Sequence, residues 1–378
     1  MKFYINAYPM ITKINIDNFK SIKSLMLAPT SLNLFMGLNG MGKSTVIQSL
    51  LLLRQSKKSR LKQLSLNGSM VEIGRGKDAL YNFAETEKIH FNLGFAKGKD
   101  EKEDSLNVSY MYSAKSDVLN QTEYHVDSEI FNQPLFTTDF VFLNAERMSP
   151  ATAYEMSYDE VTNNHTIGIH GELAAHFLSM YGDSLIVPES MCLKSASSNK
   201  LLDQVQEWMK VISPGINITT EELPQIDKVV VSYGFQTDTI STNLFRPTNV
   251  GFGISYILPV VIACLSGIHK LIIIENPEAH LHPKGQAKMG ELIARCATAG
   301  IQLFVETHSD HIVNGLRVAV KEKIICPKQV CINYFSKKIE KDQSYTINNQ
   351  IKIGVNGELS DYPQDFIDEW ENQLMKLI

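Results

Sequence analysis

The chain has 378 residues, 44% of them hydrophobic and 20% charged, with a formal net charge of -5. That composition marks an ordinary globular protein able to bury a substantial core, as one large domain or two fused lobes. The charge provides no global attraction to nucleic acid, although a local basic patch can still bind it, so DNA is neither indicated nor excluded. The five cysteines (Cys192, Cys264, Cys296, Cys326 and Cys331) are scattered, odd in number and never spaced C-x-x-C. Neither a disulfide framework nor a zinc knuckle is indicated, and a reducing cytoplasm fits best. The N-terminal MKFYINAYPM lacks an apolar signal core, and the apolar runs at 257–265 and 271–274 are too short to span a bilayer. A soluble protein with no membrane partner is expected, its first nine residues a dispensable leader ahead of ITKINI.

In chain order, residues 11–36 alternate apolar and polar positions (Ile14, Ile16, Leu32, Leu34), the period of strands around a short connector. The stretch FMGLNGMGKSTVIQSLLLL, Phe35 to Leu53, reads as a strand end, a glycine-rich loop and a buried helix. Residues 67–145 read as an antiparallel β subdomain, with GKDEKEDS as a charged hairpin tip. Residues 148–240 carry helical stretches such as LLDQVQEWMKVI, closed by Pro214-Gly215, and a strand in KVVVSYGF. No segment sustains the heptads of a long coiled coil. From 251 onward the order is a helix after GFGIS, the strand LIIIE, the helix AKMGELIARCATAG and the strand IQLFVE. In that second helix Met289, Leu292, Ile293 and Cys296 share one face, and Gly300 stops it. KQVCINYFSKK and the tail complete the chain as last strands and a terminal helix. The fold class is therefore α/β: one head spanning 1–378, with an N-terminal lobe at 10–147, a helical insertion at 148–240 and a C-terminal lobe at 241–378.

The loop Gly37-x4-Gly42-Lys43-Ser44 suits a polyphosphate. Glycines let backbone N–H groups turn inward, the helix N-terminus adds positive dipole, Lys43 reaches the β- and γ-phosphates, and the Ser44 hydroxyl serves magnesium. Asn39, Gly40 and Thr45 complete the loop. A glycine turn with an incidental Lys-Ser is the competing reading, but the strand before and the helix after are the context that the motif requires. Lys43 is expected on an exposed loop, contributing charge rather than packing.

A nucleotide site also needs a magnesium-binding acid at the end of a buried strand, and Glu275 follows four apolar residues in LIIIENPEAHLHP. A plain capping glutamate is the competing reading. Glu278, after a proline turn, is a second acid for the same site. In VETHSDH, His308 at a strand tip can sense a γ-phosphate by hydrogen bonding. His280, His282, His308 and His311 raise the question of zinc, but no Cys or acid completes a ligand set at useful spacing, so packed or hydrogen-bonded histidines are the favoured reading. Finally, NVGFGISYILPVV places Gly251 and Gly253 before a helix expected to start at Ser255, a second anion-binding N-terminus or a serine-capped turn.

Together GLNGMGKS, NVGFGIS, IIIENPEAHLHP and VETHSDH, in this order and with a long insert after the first, resemble the ABC-type P-loop ATPase heads. That class includes the structural-maintenance-of-chromosomes (SMC), RecF and overcoming-lysogenization-defect (OLD) proteins. The Pro-Glu-x-His-Leu-His-Pro run and Thr-His-Ser are most similar to OLD-like bacterial AAA-labelled ATPases. The run Gly357 to Phe366, GELSDYPQDF, resembles a subgroup ending in Gly-x-Leu-x-x-x-Pro-x-x-Phe. The resemblance covers most of Ile11 to Leu377 and is weakest over 185–240. It implies that Gly37 to Thr45 is the Walker A loop for ATP, Glu275 the Walker B acid for Mg2+ and His308 the switch histidine. Gly251 to Ser255 would be the signature contacting ATP on a second subunit, so an ATP-sandwich homodimer or higher oligomer is implied.

Two departures stand out. Walker B in such heads ends in Asp followed by a catalytic Glu, whereas Asn276 follows Glu275 here and cannot take a proton from water. The signature serine slot holds Gly251, unless Ser255 substitutes from one turn on. Both imply slow turnover, with Glu275, Glu278 and His308 as the candidate catalytic set. OLD nucleases add a Toprim domain, for which the about seventy residues after VETHSDH leave too little chain. The leading expectation is therefore an ATP-gated dimeric switch on a separately encoded effector of nuclease type, in an antiviral defence module. The alternatives are a DNA-binding repair or chromosome-associated ATPase, and a nucleotide-binding regulator with negligible hydrolysis.

Overall fold

The computed structural model describes residues 11–96, 103–235, 242–363, 366 and 373–377. The proposed leader, most of the GKDEKEDS tip, Gln364 and Asp365 of the GELSDYPQDF run and most of the expected terminal helix lie outside the described residues. The chain divides into two compact units. One comprises Met1–Thr137, Val330–Ile353 and Leu359–Ile378, the other Thr138–Gln329 and Gly354–Glu358.

The first unit begins with β1 (Ile11–Phe19), β2 (Ile22–Leu27) and β3 (Leu32–Met36). β1 buries Ile11, Ile14, Ile16 and Phe19, which is not a strict alternation. A register shift between Ile11 and Lys13, and the left-handed Asn18 (φ 57°), change the parity at each end, so four apolar side chains still face inward. β3 is buried at all five positions and leads through the glycine loop into α1 (Lys43–Gln55). Then follow β4 (Gln63–Ser65), the single turn α2 (Gly76–Ala79), β5 (Lys88–Phe95), β6 (Asp104–Met111) and β7 (Val118–Val126). These strands form an antiparallel sheet in the order β2-β1-β5-β6-β7-β4. The β subdomain expected at 67–145 thus recruits β1, β2 and β4 from upstream: β1 pairs with β5 and β4 with β7, satisfying backbone edges that β5, β6 and β7 alone would leave open.

The second unit contains β8 (Phe140–Leu143), β9 (Tyr154–Glu155), α3 (Tyr158–Thr162), α4 (Ala174–Tyr181), α5 (Leu201–Ile212), β10 (Ile216–Leu223) and β11 (Lys228–Phe235). It continues with α6 (Phe252–Leu265), β12 (Leu271–Glu275), α7 (Pro283–Thr298), β13 (Gln302–Glu306) and α8 (Asp310–Lys321). β8 pairs in parallel with β12, and β12 with β13. The sequence reading put residues 140–143 in the antiparallel subdomain. Their four consecutive buried residues, FVFL, instead suit a parallel strand covered on both faces.

The segment 148–240 is less helical than expected. α5 buries Leu201, Val205, Trp208 and Met209 and ends ahead of Pro214-Gly215, but β10, β11 and β9 form an antiparallel sheet. α7 starts at Pro283, four residues before the expected Ala287, since proline at the first helical position and His282 as N-cap define an earlier start.

The chain then returns to the first unit with β14 (Val330–Glu340) and β15 (Gln343–Ile351). β14 runs parallel to β3, with Val330 opposite Leu32 and Tyr334 opposite Met36, and antiparallel to β15. Residues 241–378, expected as one lobe, are therefore shared between the units: a strand beside β3 belongs with β3 whatever its position in sequence. Phe366 packs edge-on to Tyr334 with ring centroids 5.4 Å apart, anchoring the end of the GELSDYPQDF run. No helix among the described residues is long and apolar enough to cross a membrane.

Ile273 is fully buried at the centre of β12. Ile273→Ala should cost about 2–5 kcal/mol, the usual range for truncating a buried aliphatic side chain. A urea denaturation midpoint indistinguishable from wild type would contradict this placement of the core.

Candidate functional site

The predicted site residues fall into two groups, one within each unit. In the first, Gly37, Asn39, Gly40 and Gly42 link the end of β3 to the start of α1. The loop backbone demands glycine at its two ends. Gly37 has φ 133° and Gly42 φ 102°; a Cβ on Gly37 would lie 2.2 Å from the carbonyl oxygen of Phe335, and one on Gly42 would lie 2.4 Å from Thr346 Oγ1. Thr346 in turn donates to the carbonyl of Met41 at 3.0 Å, so β15 braces the loop from behind. Leu38, Asn39 and Gly40 stay exposed at its crest. No side chain caps α1 at Gly42, and the N-terminus of such a helix favours an anion.

Lys43 departs from expectation. It is the first residue of α1 and only 3% exposed, not a side chain on an exposed loop. Its ammonium donates to the carbonyls of Gly37 at 2.7 Å and Leu38 at 2.9 Å, curling the loop around it. Thr45 is buried beside it and Ser44 half-buried. A bound polyphosphate would face a concave turn of backbone, a helix N-terminus and a cation, a set of donors suited to an anion.

In the second unit, Glu275 ends β12 half-buried, and its Oε2 accepts from the backbone N–H of Ala145 at 3.0 Å. Burial pushes its carboxyl pKa upward, opposed by that N–H and by the nearby Arg147. A divalent cation would supply further opposing charge, so this carboxylate fits the role of a magnesium ligand. Asn276 is left-handed (φ 44°), and its N–H donates to the carbonyl of Glu306 at 2.8 Å. Glu278 is 9% exposed; its Oε1 accepts from the His308 backbone N–H at 2.8 Å, while Oε2 is buried without a hydrogen-bond partner. The structure thus brings Glu278 to the strand tip of His308, whose residue remains exposed. Ser309 caps α8 by accepting from Ile312 N–H at 3.1 Å.

The other histidines have local tasks. His280 packs against the rings of Phe252 and Tyr256, at centroid distances of 4.7 and 5.0 Å, and His282 caps α7 by accepting from the Lys284 N–H. His311 lies 3.7 Å from Asp310.

The glycine signature also differs from expectation. α6 begins at Phe252 with Gly251 as its cap, three residues before the expected start at Ser255. Ser255 therefore sits inside the helix, 7% exposed, with its hydroxyl directed at the Tyr233 hydroxyl 3.5 Å away. A buried serine on the inner face of the helix is poorly suited to substitute for the serine missing at 251. Gly251 is exposed, and a Cβ there would meet nothing within 4 Å; at Gly253 a Cβ would lie 2.4 Å from the carbonyl of His280.

Sequence reasoning missed Arg147. It lies in the stretch NAERMSP, where nothing in composition or periodicity separates it from a surface arginine. It is 4% exposed and donates to the carbonyls of both Glu275 and Asn276.

Residues 10–167 match the family described as "AAA ATPase domain", and residues 194–314 match "AAA domain, putative AbiEii toxin, Type IV TA system". Residues 325–377 match "Protein of unknown function (DUF3696)", over the tail where the GELSDYPQDF run lies. No curated protein matches the chain. Among solved structures, an Smc head bound to the C-terminal winged-helix domain of ScpA is similar at TM-score 0.57 and 15% identity, covering 90% of this chain and 97% of that one. A second Smc head, with an extended coiled coil and bound to the C-terminal domain of ScpA derived from Pyrococcus furiosus, has TM-score 0.53 and 12% identity, covering 98% and 99%. A third, from Pyrococcus yayanosii, has TM-score 0.51 and 8% identity, covering 92% and 98%. At these identities the likeness is one of fold, that of the SMC-head ABC ATPases. With the two AAA matches, it supports an ABC-type P-loop ATPase.

Lys43→Ala should abolish measurable ATP binding by calorimetry. It should also lower thermal stability, since two hydrogen bonds to loop carbonyls are lost, each worth about 1 kcal/mol. ATP affinity within twofold of wild type would remove this loop from the nucleotide site.

Proposed function

We propose that this ABC-type P-loop ATPase is a slowly hydrolysing switch that works as a homodimer or higher oligomer. Its ATP-bound state gates a separate effector of nuclease type, in an OLD-like cytoplasmic defence module. In this reading Gly37, Asn39, Gly40, Gly42, Lys43, Ser44 and Thr45 hold the phosphates of ATP, with Ser44 and Glu275 as ligands of Mg2+. The ion, when bound, offsets charge that develops on the phosphates. Gly251 and Gly253 would meet the nucleotide of a second copy. Ser255 is withdrawn from that role by its burial.

The observation that carries the reading is Asn276, a residue with no carboxylate to accept a proton, directly after the acid of β12. The next acid in sequence is Glu278, whose Oε1 is tethered by His308 N–H and whose Oε2 is buried without a hydrogen-bond partner. A base displaced by two positions forfeits about 10²- to 10⁴-fold in rate. Long-lived ATP occupancy suits a switch better than a motor. Two further findings support a separate partner. The family matched by residues 194–314 is described by a toxin of a type IV TA system, and two of the similar Smc heads were solved with a ScpA domain bound.

Single-turnover hydrolysis tests the assignment. Asn276→Glu should accelerate phosphate release by at least tenfold, and Glu278→Gln, which keeps an oxygen for His308 N–H, should slow it by a similar factor. Wild-type turnover of many per second that neither change alters would sink the slow-switch reading, and strong stimulation by DNA would transfer the chain to the DNA-binding class.

Light scattering tests the assembly. A non-hydrolysable ATP analogue with magnesium should enlarge the particle, and Gly251→Asp should prevent this by setting a carboxylate against phosphates. The substitution belongs at 251 rather than 253, where any side chain collides with the His280 carbonyl and misfolding would mimic repulsion. Association that survives Gly251→Asp would argue against a composite site.

A further inference from the structure

Within the second unit, the start of α6 and the end of β12 are joined by two side chains, Arg147 and Tyr256. β8 runs parallel to β12 with Leu143 opposite Ile274, so the segment after β8 emerges beside Glu275. Three contacts follow from that register. The Ala145 N–H donates to the Glu275 carboxylate at 3.0 Å. The Arg147 guanidinium donates through Nη1 to the Asn276 carbonyl at 3.2 Å and through Nη2 to the Glu275 carbonyl at 2.5 Å. A planar fork spans two successive carbonyls, which the single ammonium of lysine cannot do with the same geometry.

The other side of this segment is held by α6. The Tyr256 hydroxyl accepts from the Arg147 N–H at 3.1 Å and donates to the Ala145 carbonyl. Its ring lies under the guanidinium, 5.1 Å from the centroid, and edge-on to His280. Tyr256 is one helical turn beyond Phe252, where α6 starts.

Arg147 is buried at an energetic cost. Burial lowers its pKa to about 10 against the pull of Tyr256, Glu278 and Glu275, and it makes no salt bridge among the described residues. A buried cation held by carbonyls and a ring face is a costly way to stabilise a fold, since an apolar side chain of similar volume would serve as well or better.

We propose that Arg147 is a positioning residue that, together with Tyr256, fixes Glu275 and Asn276 relative to the first turn of α6. A shift of α6 at Gly251 would be felt at the acid through this clamp. The catalytic consequence rests on the ATPase reading above; the clamp itself does not.

The test uses the full chain with Arg147→Met, Arg147→Lys and Tyr256→Phe, read by amide hydrogen exchange and by steady-state ATP hydrolysis. Arg147→Met should raise exchange about tenfold at Ala145 and Asn276 while leaving the α5 segment unchanged. It should lower kcat at least tenfold with KM within threefold, and Arg147→Lys should recover part of that loss. Tyr256→Phe, which keeps the ring, should loosen residues 145–147 alone. Unchanged exchange at Ala145 and Asn276 in Arg147→Met overturns the clamp. An active chain whose exchange rises while kcat stays constant overturns the positioning role. If wild type does not hydrolyse ATP, the ATPase reading fails and exchange alone decides the clamp. Should Arg147→Met not fold, Arg147→Lys and Tyr256→Phe decide it by the same exchange readout.

Discussion

Parallel strands covered on both faces leave polar chemistry nowhere to stand except at the strand ends. β3 and β13 are buried at every position, and β12 at every position but its last. The polar residues that matter follow at once: the glycine loop after β3, Glu275 closing β12, and Thr307-His308 after β13. The hydrophobic demand on the strands thus selects where an anion, a cation or a proton can be handled. The helices then present their N-termini just beyond, as α1 and α8 do.

The charges at these ends are each held by backbone groups. Lys43 sits on two loop carbonyls, Arg147 on the carbonyls of Glu275 and Asn276, Glu275 under the Ala145 N–H, and Glu278 under the His308 N–H. Backbone dipoles orient a charged side chain without neutralising it. A group left in that condition retains attraction for a ligand of opposite sign, which is what a phosphate or a metal ion requires. The upward push that burial gives the Glu275 carboxyl is the same effect seen from the proton's side.

The loop after β12 illustrates how one turn sets several roles. Asn276 adopts a left-handed conformation, directs its N–H to Glu306 and its carbonyl to Arg147, and so leads the chain toward Glu278 and His280. Glu278 reaches the tip of β13, and His280 reaches Phe252 and Tyr256 at the start of α6. The residue that replaces the expected glutamate is therefore embedded in the turn's backbone geometry. Asparagine tolerates the left-handed region better than most side chains.

Much of this was legible in the amino-acid sequence, because the signals are local. A glycine loop between a buried strand and a buried helix, and an acid directly after LIII, follow from residue types at short spacing, and the ABC-head resemblance rests on those same runs. Patterns of burial and local turn chemistry determined that β3, α1, β12 and β13 exist and where their polar ends fall. What the sequence could not decide depends on long-range pairing. That β8 lies beside β12, that β14 returns to β3, and that Lys43 and Ser255 are buried are properties of neighbours distant in the chain. Arg147 is the clearest case: 128 residues separate it from Glu275. Only the parallel register of two strands, fixed by backbone hydrogen bonding that every residue can supply alike, brings the guanidinium to the acid.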